Sequence, residues 1–153
     1  MYIDALASFC YPTSAILNNT NAIIGNVMDT QIGTLNTLLA NLSGQAAFWV
    51  VQVSTTFSGG TSAQFQLVTD SVAALTTSRT VHLDTGAVAV GSLVAPTQGS
   101  TTGYTFVRQL PPDLTFERFM GVWETTVGNV TAGQIKSFIT TDVRRYLAFA
   151  DAI

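Results

Sequence analysis

The sequence predicts an all-β domain: a jelly-roll-like antiparallel β sandwich with an N-terminal arm and a short C-terminal tail. Three observations predict it. Between residues 48 and 143 short segments alternate apolar and polar side chains, turn residues separate them at near-regular spacing, and charged residues make up only 10% of the chain. Read in order, the segments are FWVVQVST, a Phe-Ser-Gly-Gly turn, SAQFQLVTD, SVAALTTS, RTVHLDTGAVAVGSLV, a Gln-Gly-Ser loop, TGYTFVRQL, PPDL, TFERFMGVWETTV, Gly-Asn and VTAGQIKSFITTDV.

Each segment has its own argument. Residues 1–21 form an arm, because the stretch through Tyr11 and Pro12 lacks turn-bounded alternation and Asn18-Asn19 offers a hinge. Residues 22–28 read as the first strand. Ile32, Leu35, Leu38, Leu39 and Leu42 recur at helical spacing, but Gly33, Gly44 and the intervening Thr and Asn residues reduce that stretch to a loop with a turn or two of helix. Trp49, Val51 and Val53 share one face of the FWVVQVST strand, and Ala63, Phe65 and Leu67 share one face of the next. Pro111-Pro112 cannot donate to a ladder, so residues 110–114 make a sharp connection. In the strand that follows, Phe116, Met120 and Val122 oppose Phe119 and Trp123, which leaves both faces apolar and marks it as central or set against another subunit. The tail, residues 144–153, is again apolar. The domain division is therefore arm 1–21, sandwich 22–143 and tail 144–153.

Composition narrows the function. At 153 residues the chain supports one domain with a real core. Its charged fraction lies well below the usual value of about 25%, and Ser and Thr supply about a fifth of the residues, so hydroxyls and amides must build the polar faces. A surface so sparsely charged favours association. The net charge is −3 and the six cations are scattered apart from Arg144-Arg145, which argues against nucleic-acid binding. No apolar run is long enough to span a membrane, and the N-terminus lacks the basic start of a secretory signal. Cys10 stands alone, so no disulfide within the chain and no cysteine-based metal site is expected.

Catalytic readings are weak. His82 and Asp84 lie two apart on a predicted strand, near Ser71 or Ser92 in a triad reading, but a single histidine without a nucleophile elbow favours a plain strand surface. Glu117 and Glu124 are seven apart on one strand, hence on opposite faces and too distant for a glycosidase pair. The dispersed acids offer no metal site. No catalytic residue, no metal and no cofactor is expected.

The ordered segments FWVVQV, FSGGTSAQFQLVTDS, HLDTGAVAVGSLVA, RQLPPDLTFERFMGVW and NVTAGQIKSFITTDV resemble the cement, or decoration, proteins on the capsids of tailed bacteriophages. The resemblance spans residues 22–143. It implies a homo-oligomer, dimer or trimer, on the outer surface of the virion, bound to the major capsid protein. Apolar groups at Tyr2, Leu6, Phe9 and Tyr11 in the arm, Phe119 and Trp123 in the strand, and Tyr146 and Phe149 in the tail are the candidate capsid or subunit contacts. Two other classes compete. Trp49, Trp123, Tyr104 and Phe106 suit an aromatic platform for sugars if exposed together, and a fibre or adhesin subunit would use the N-terminal segment to complete a neighbour's sheet.

Overall fold

The computed structural model of the chain describes residues 8–15, 21–30, 46–97, 103–111 and 116–141, and of residues 11–15 the backbone alone. The described strands are β1 (Ser8–Ala15), β2 (Asn21–Asp29), β3 (Phe48–Gly59), β4 (Ser62–Asp70), β5 (Thr80–Asp84), β6 (Val88–Ala89), β7 (Thr105–Gln109), β8 (Phe119–Val127) and β9 (Val130–Thr140). They form two antiparallel sheets, ordered β1-β9-β3-β7 and β2-β8-β4-β5, with the short β6 adding to β4. With β6 set aside, every strand of the first half pairs with its mirror in the second: β1 with β9, β2 with β8, β3 with β7 and β4 with β5. That is the pairing of one long hairpin rolled into a jelly roll.

The roll turns its corner at glycines. Gly59 and Gly60 between β3 and β4, and Gly128 between β8 and β9, carry φ of +72°, +71° and +82°. The two crossings lie side by side, with Gly59 paired to Val130 and Ser62 to Val127. A Cβ on Gly128 would sit 2.9 Å from the Gly60 backbone, so both ribbons pass from one sheet to the other where only glycine fits.

Alternation places the core as expected. Trp49, Val51 and Val53 of β3 face Phe65 and Leu67 of β4 and Val122 of β8 across the sandwich, all fully buried. Trp49 Nε1 donates to Ser137 Oγ at 2.9 Å, which satisfies the indole in an otherwise apolar layer. Phe57 and Phe65 meet edge to face at 6.2 Å and tie the two sheets together.

Three expectations change. The arm does not extend to residue 21: Ser8–Ala15 is an edge strand on β9, and Phe9 is wholly buried in the core. The segment SVAALTTS is no strand. The Asp70 carboxylate captures the backbone N–H groups of Val72, Thr77 and Ser78 that a ladder would need, and the segment folds back as a strap. RTVHLDTGAVAVGSLV is likewise not one strand but β5, a turn at Gly86 (φ +70°), the two-residue β6 and a 3-10 turn, Val90–Ser92. The expected loop at 29–45 from residue 31 on, the tail 144–153, and Tyr2, Leu6, Tyr146 and Phe149 lie outside the described residues.

Candidate interaction surface

The outer face of the β2-β8-β4-β5 sheet carries a group of interacting side chains outside the main core. Its upper half is covered by the strap, residues 71–79. Asp70, itself buried, anchors the strap: Oδ1 accepts from the Ser71 hydroxyl and Val72 N–H, and Oδ2 accepts from Thr77 N–H at 2.9 Å and Ser78 N–H at 3.2 Å. Burial alone would raise the Asp70 pKa, but the N–H groups of Ser78, Thr77 and Val72 and the Ser71 hydroxyl outweigh it and hold the carboxyl below its ordinary value.

The strap presses Leu75 onto the sheet. Leu75 is fully buried against Val68 and Trp123, with Ile23, Val27 and Phe119 at the margin. It adopts a left-handed conformation, φ +51°, a strained state for a leucine. Gly121 of β8 makes the space, since a Cβ there would meet Leu75 Cδ1 at 2.6 Å. At the end of the strap the Arg79 guanidinium stacks 3.9 Å above the Trp123 ring, while Trp123 Nε1 and Thr125 Oγ1 both donate to Asn21 Oδ1 at 2.6 and 2.9 Å. β8 is therefore apolar on both faces because it is central and because the chain's own strap covers its outer side.

The lower half of this face is a polar strip. The side-chain amides of Gln64 and Gln66 and the backbone N–H of Gly86 converge on Asp84 at 2.7 to 2.9 Å. Burial would raise the Asp84 pKa, but these bonds from Gln66, Gln64 and Gly86 prevail and lower it. With Ser62 and Thr125 beside them, the outward groups here are hydroxyls and amides apart from the exposed Val127 paired to Ser62, and the Asp84 carboxylate is bonded by three residues.

His82 and Asp84 do not form a pair. A register shift between Leu67 and Val68 inserts a bulge in the β4–β5 ladder and turns them to different partners. His82 Nε2 shares a hydrogen bond with Thr69 Oγ1 at 2.7 Å, and its ring meets Phe116 edge to face at 5.0 Å. Burial depresses the imidazole pKa, which nearby Glu117 only partly opposes. Glu117 accepts from Thr80 Oγ1 and lies ahead of β8, whereas Glu124 points into the core. Among the described residues no three of His, Cys, Asp and Glu gather as a metal site requires, and no helix is long and apolar enough to cross a membrane.

The contact candidates fall in different places. Phe9 is core, and Tyr11 lies in the same edge strand. Phe119 is half-buried beneath Arg118, whose charge pairs with Asp29 at 2.8 Å, and Trp123 is 7% exposed beneath Arg79. The four rings considered for a sugar platform do not assemble: Trp49 is fully buried edge to face with Phe106, Tyr104 packs on that core, and Trp123 belongs to the other sheet. Leu75, Arg79 and Asp70 escaped the sequence reading, although an Asp followed by Ser-Val and a Thr-Thr-Ser cluster is a turn signal in its own right.

Fold and surface together define an all-β jelly roll whose outer β2-β8-β4-β5 face carries a strap and a polar strip, each centred on a carboxylate bonded within the chain. The chain belongs to the Bbp16 family, whose family model matches residues 14–139. No curated protein matches it.

Proposed function

We propose that this chain is a non-enzymatic capsid decoration protein that binds the outer surface of a major capsid protein shell as a homo-oligomer and bridges neighbouring capsomers. One observation carries the reading. The ordered segments that resemble phage cement proteins fall on consecutive parts of a single jelly roll, from β3 and β4 through β5, β6 and β7 to β8 and β9. The surface chemistry agrees, because hydroxyl and amide faces with 10% charge overall favour many weak, complementary contacts over a single charged one.

The physics of such a protein needs no reaction. A shell under internal pressure fails where capsomers part, and a bridge across that seam slows the failure. If each subunit of an oligomer grips a different capsid subunit, the second contact is intramolecular and overall binding gains about 10²- to 10⁴-fold. The test is addition of purified chain to shells that lack it. Co-sedimentation with the shells and a higher rupture temperature support the reading, whereas a chain that stays in the supernatant and leaves rupture unchanged refutes it.

A further inference from the structure

The inner face of β8 runs Met120, Val122, Glu124, and the first two are core residues. Glu124 continues their row into the space between the sheets, flanked by Ala22 of β2 and Phe65 of β4. It is 2% exposed, and among the described residues its Oε1 has no hydrogen-bond partner. A buried carboxyl oxygen with no donor is a costly feature that packing alone never requires, since Gln or Leu would fill the same volume.

We propose that Glu124 is a pH sensor built into the inter-sheet core: the jelly roll closes around the neutral acid, and loss of its proton loosens the seam between β2 and β8.

Among the described residues no charged group near it would hold the anion. Its neighbours on β2 and β4 are uncharged, and the described inner positions of β3 and β9 are apolar apart from Ser137, which is bonded to Trp49. On β1 the titratable group among the described side chains is Cys10, whose thiol reaches the Ile24 carbonyl at 3.7 Å. On β5 they are His82, bonded to Thr69 four positions along β4 from Phe65, and Asp84, bonded by Gln64, Gln66 and Gly86 on the outer face, while ahead of β7 the Tyr104 hydroxyl bonds Thr85. Burial pushes the Glu124 carboxyl up to about 8, with no neighbouring charge contributing. An ionised Glu124 must therefore reach water. The strand that ends the sheet beside it is β2, paired to it at Ala22, where Asn21 holds Trp123 and Thr125 on the opposite face.

The sign follows from linkage. The unfolded chain releases this proton near the ordinary value of 4.5, the folded chain near 8. This group's favourable contribution is fully present below the lower value and is lost as pH rises through the upper one. Between them the folding equilibrium constant falls up to tenfold per pH unit, and unfolding near neutrality releases close to one proton.

The test compares the full chain with Glu124→Gln, which mimics the neutral acid, by urea unfolding from about pH 5 to about pH 9. The expected result is a gap between variant and wild type that widens up to tenfold per pH unit and levels above about pH 8. Parallel curves overturn the proposal. Infrared spectroscopy of the wild type decides independently, even if the variant folds poorly. A protonated-carboxyl band at neutral pH that disappears above about pH 9 supports the proposal, and a band-free spectrum at neutral pH overturns it.

Discussion

Leu75 and Gly121 give the sharpest quantitative prediction, because one leucine holds the strap to the sheet and one glycine makes room for it. Leu75 is fully buried, and Leu→Ala at buried sites costs about 2–5 kcal/mol. The site lies under a loop that can settle after truncation, so Leu75→Ala should cost near the lower end, about 2–3 kcal/mol. The left-handed strain at φ +51° remains in the alanine variant and does not reduce that loss. Gly121→Ala places a Cβ 2.6 Å from Leu75 Cδ1 and should cost about 1–3 kcal/mol by overpacking. Once Leu75 is truncated, the next atom, Val27 Cγ2 at 3.5 Å, is an ordinary contact, and Gly121→Ala should become nearly neutral. The double-mutant cycle, read by urea unfolding with tryptophan fluorescence and circular dichroism, should therefore show coupling of at least about 1 kcal/mol. Additivity within about 0.5 kcal/mol, or a Leu75→Ala cost below about 1 kcal/mol, would refute the strap as described.

Other expectations follow from the same geometry. Phe9→Ala should cost about 3–5 kcal/mol, and deletion of residues 1–17 should destabilise the domain rather than trim a free arm; a truncated chain with an unchanged unfolding midpoint contradicts this. Asp70→Ala removes the acceptor for four donors, so acrylamide should quench Trp123 more strongly, with Trp49 still protected. The depressed carboxyls of Asp70 and Asp84 contribute stability that is present above their ordinary value of 3.8 and lost as pH falls through their lower folded values. Asp70→Asn should flatten that part of an acid-unfolding curve. His82, depressed by burial, contributes stability that is present above its ordinary 6.5 and lost as pH falls through its lower folded value, yet His82→Ala should leave shell binding unchanged.

How much of this was legible in the sequence varied with the range of the interaction responsible. β3 and β4 were readable because period-two alternation decides which face of a strand is buried, and Trp49, Val51 and Val53 obey it. The double-sided apolar strand after the proline pair reads as central or set against another subunit, but the cover on its outer face is not legible. That cover depends on Asp70 bonding to residues up to eight positions away, which local alternation cannot register. β1 was hidden because Pro12 interrupts its pattern, and its pairing with β9 closes the roll across nearly the whole chain. The Glu124 position was implicit in the alternation of Met120 and Val122, while its lack of a partner is a property of the packed sandwich alone.

Location on an intact particle tests the central claim most directly. Electron cryomicroscopy of virions containing this chain should place jelly-roll density on the outside of the shell, in copies that span the seams between capsomers, and particles lacking the chain should lose that density and rupture at lower temperature. Density inside the shell, in the tail, or nowhere on the particle would contradict the account.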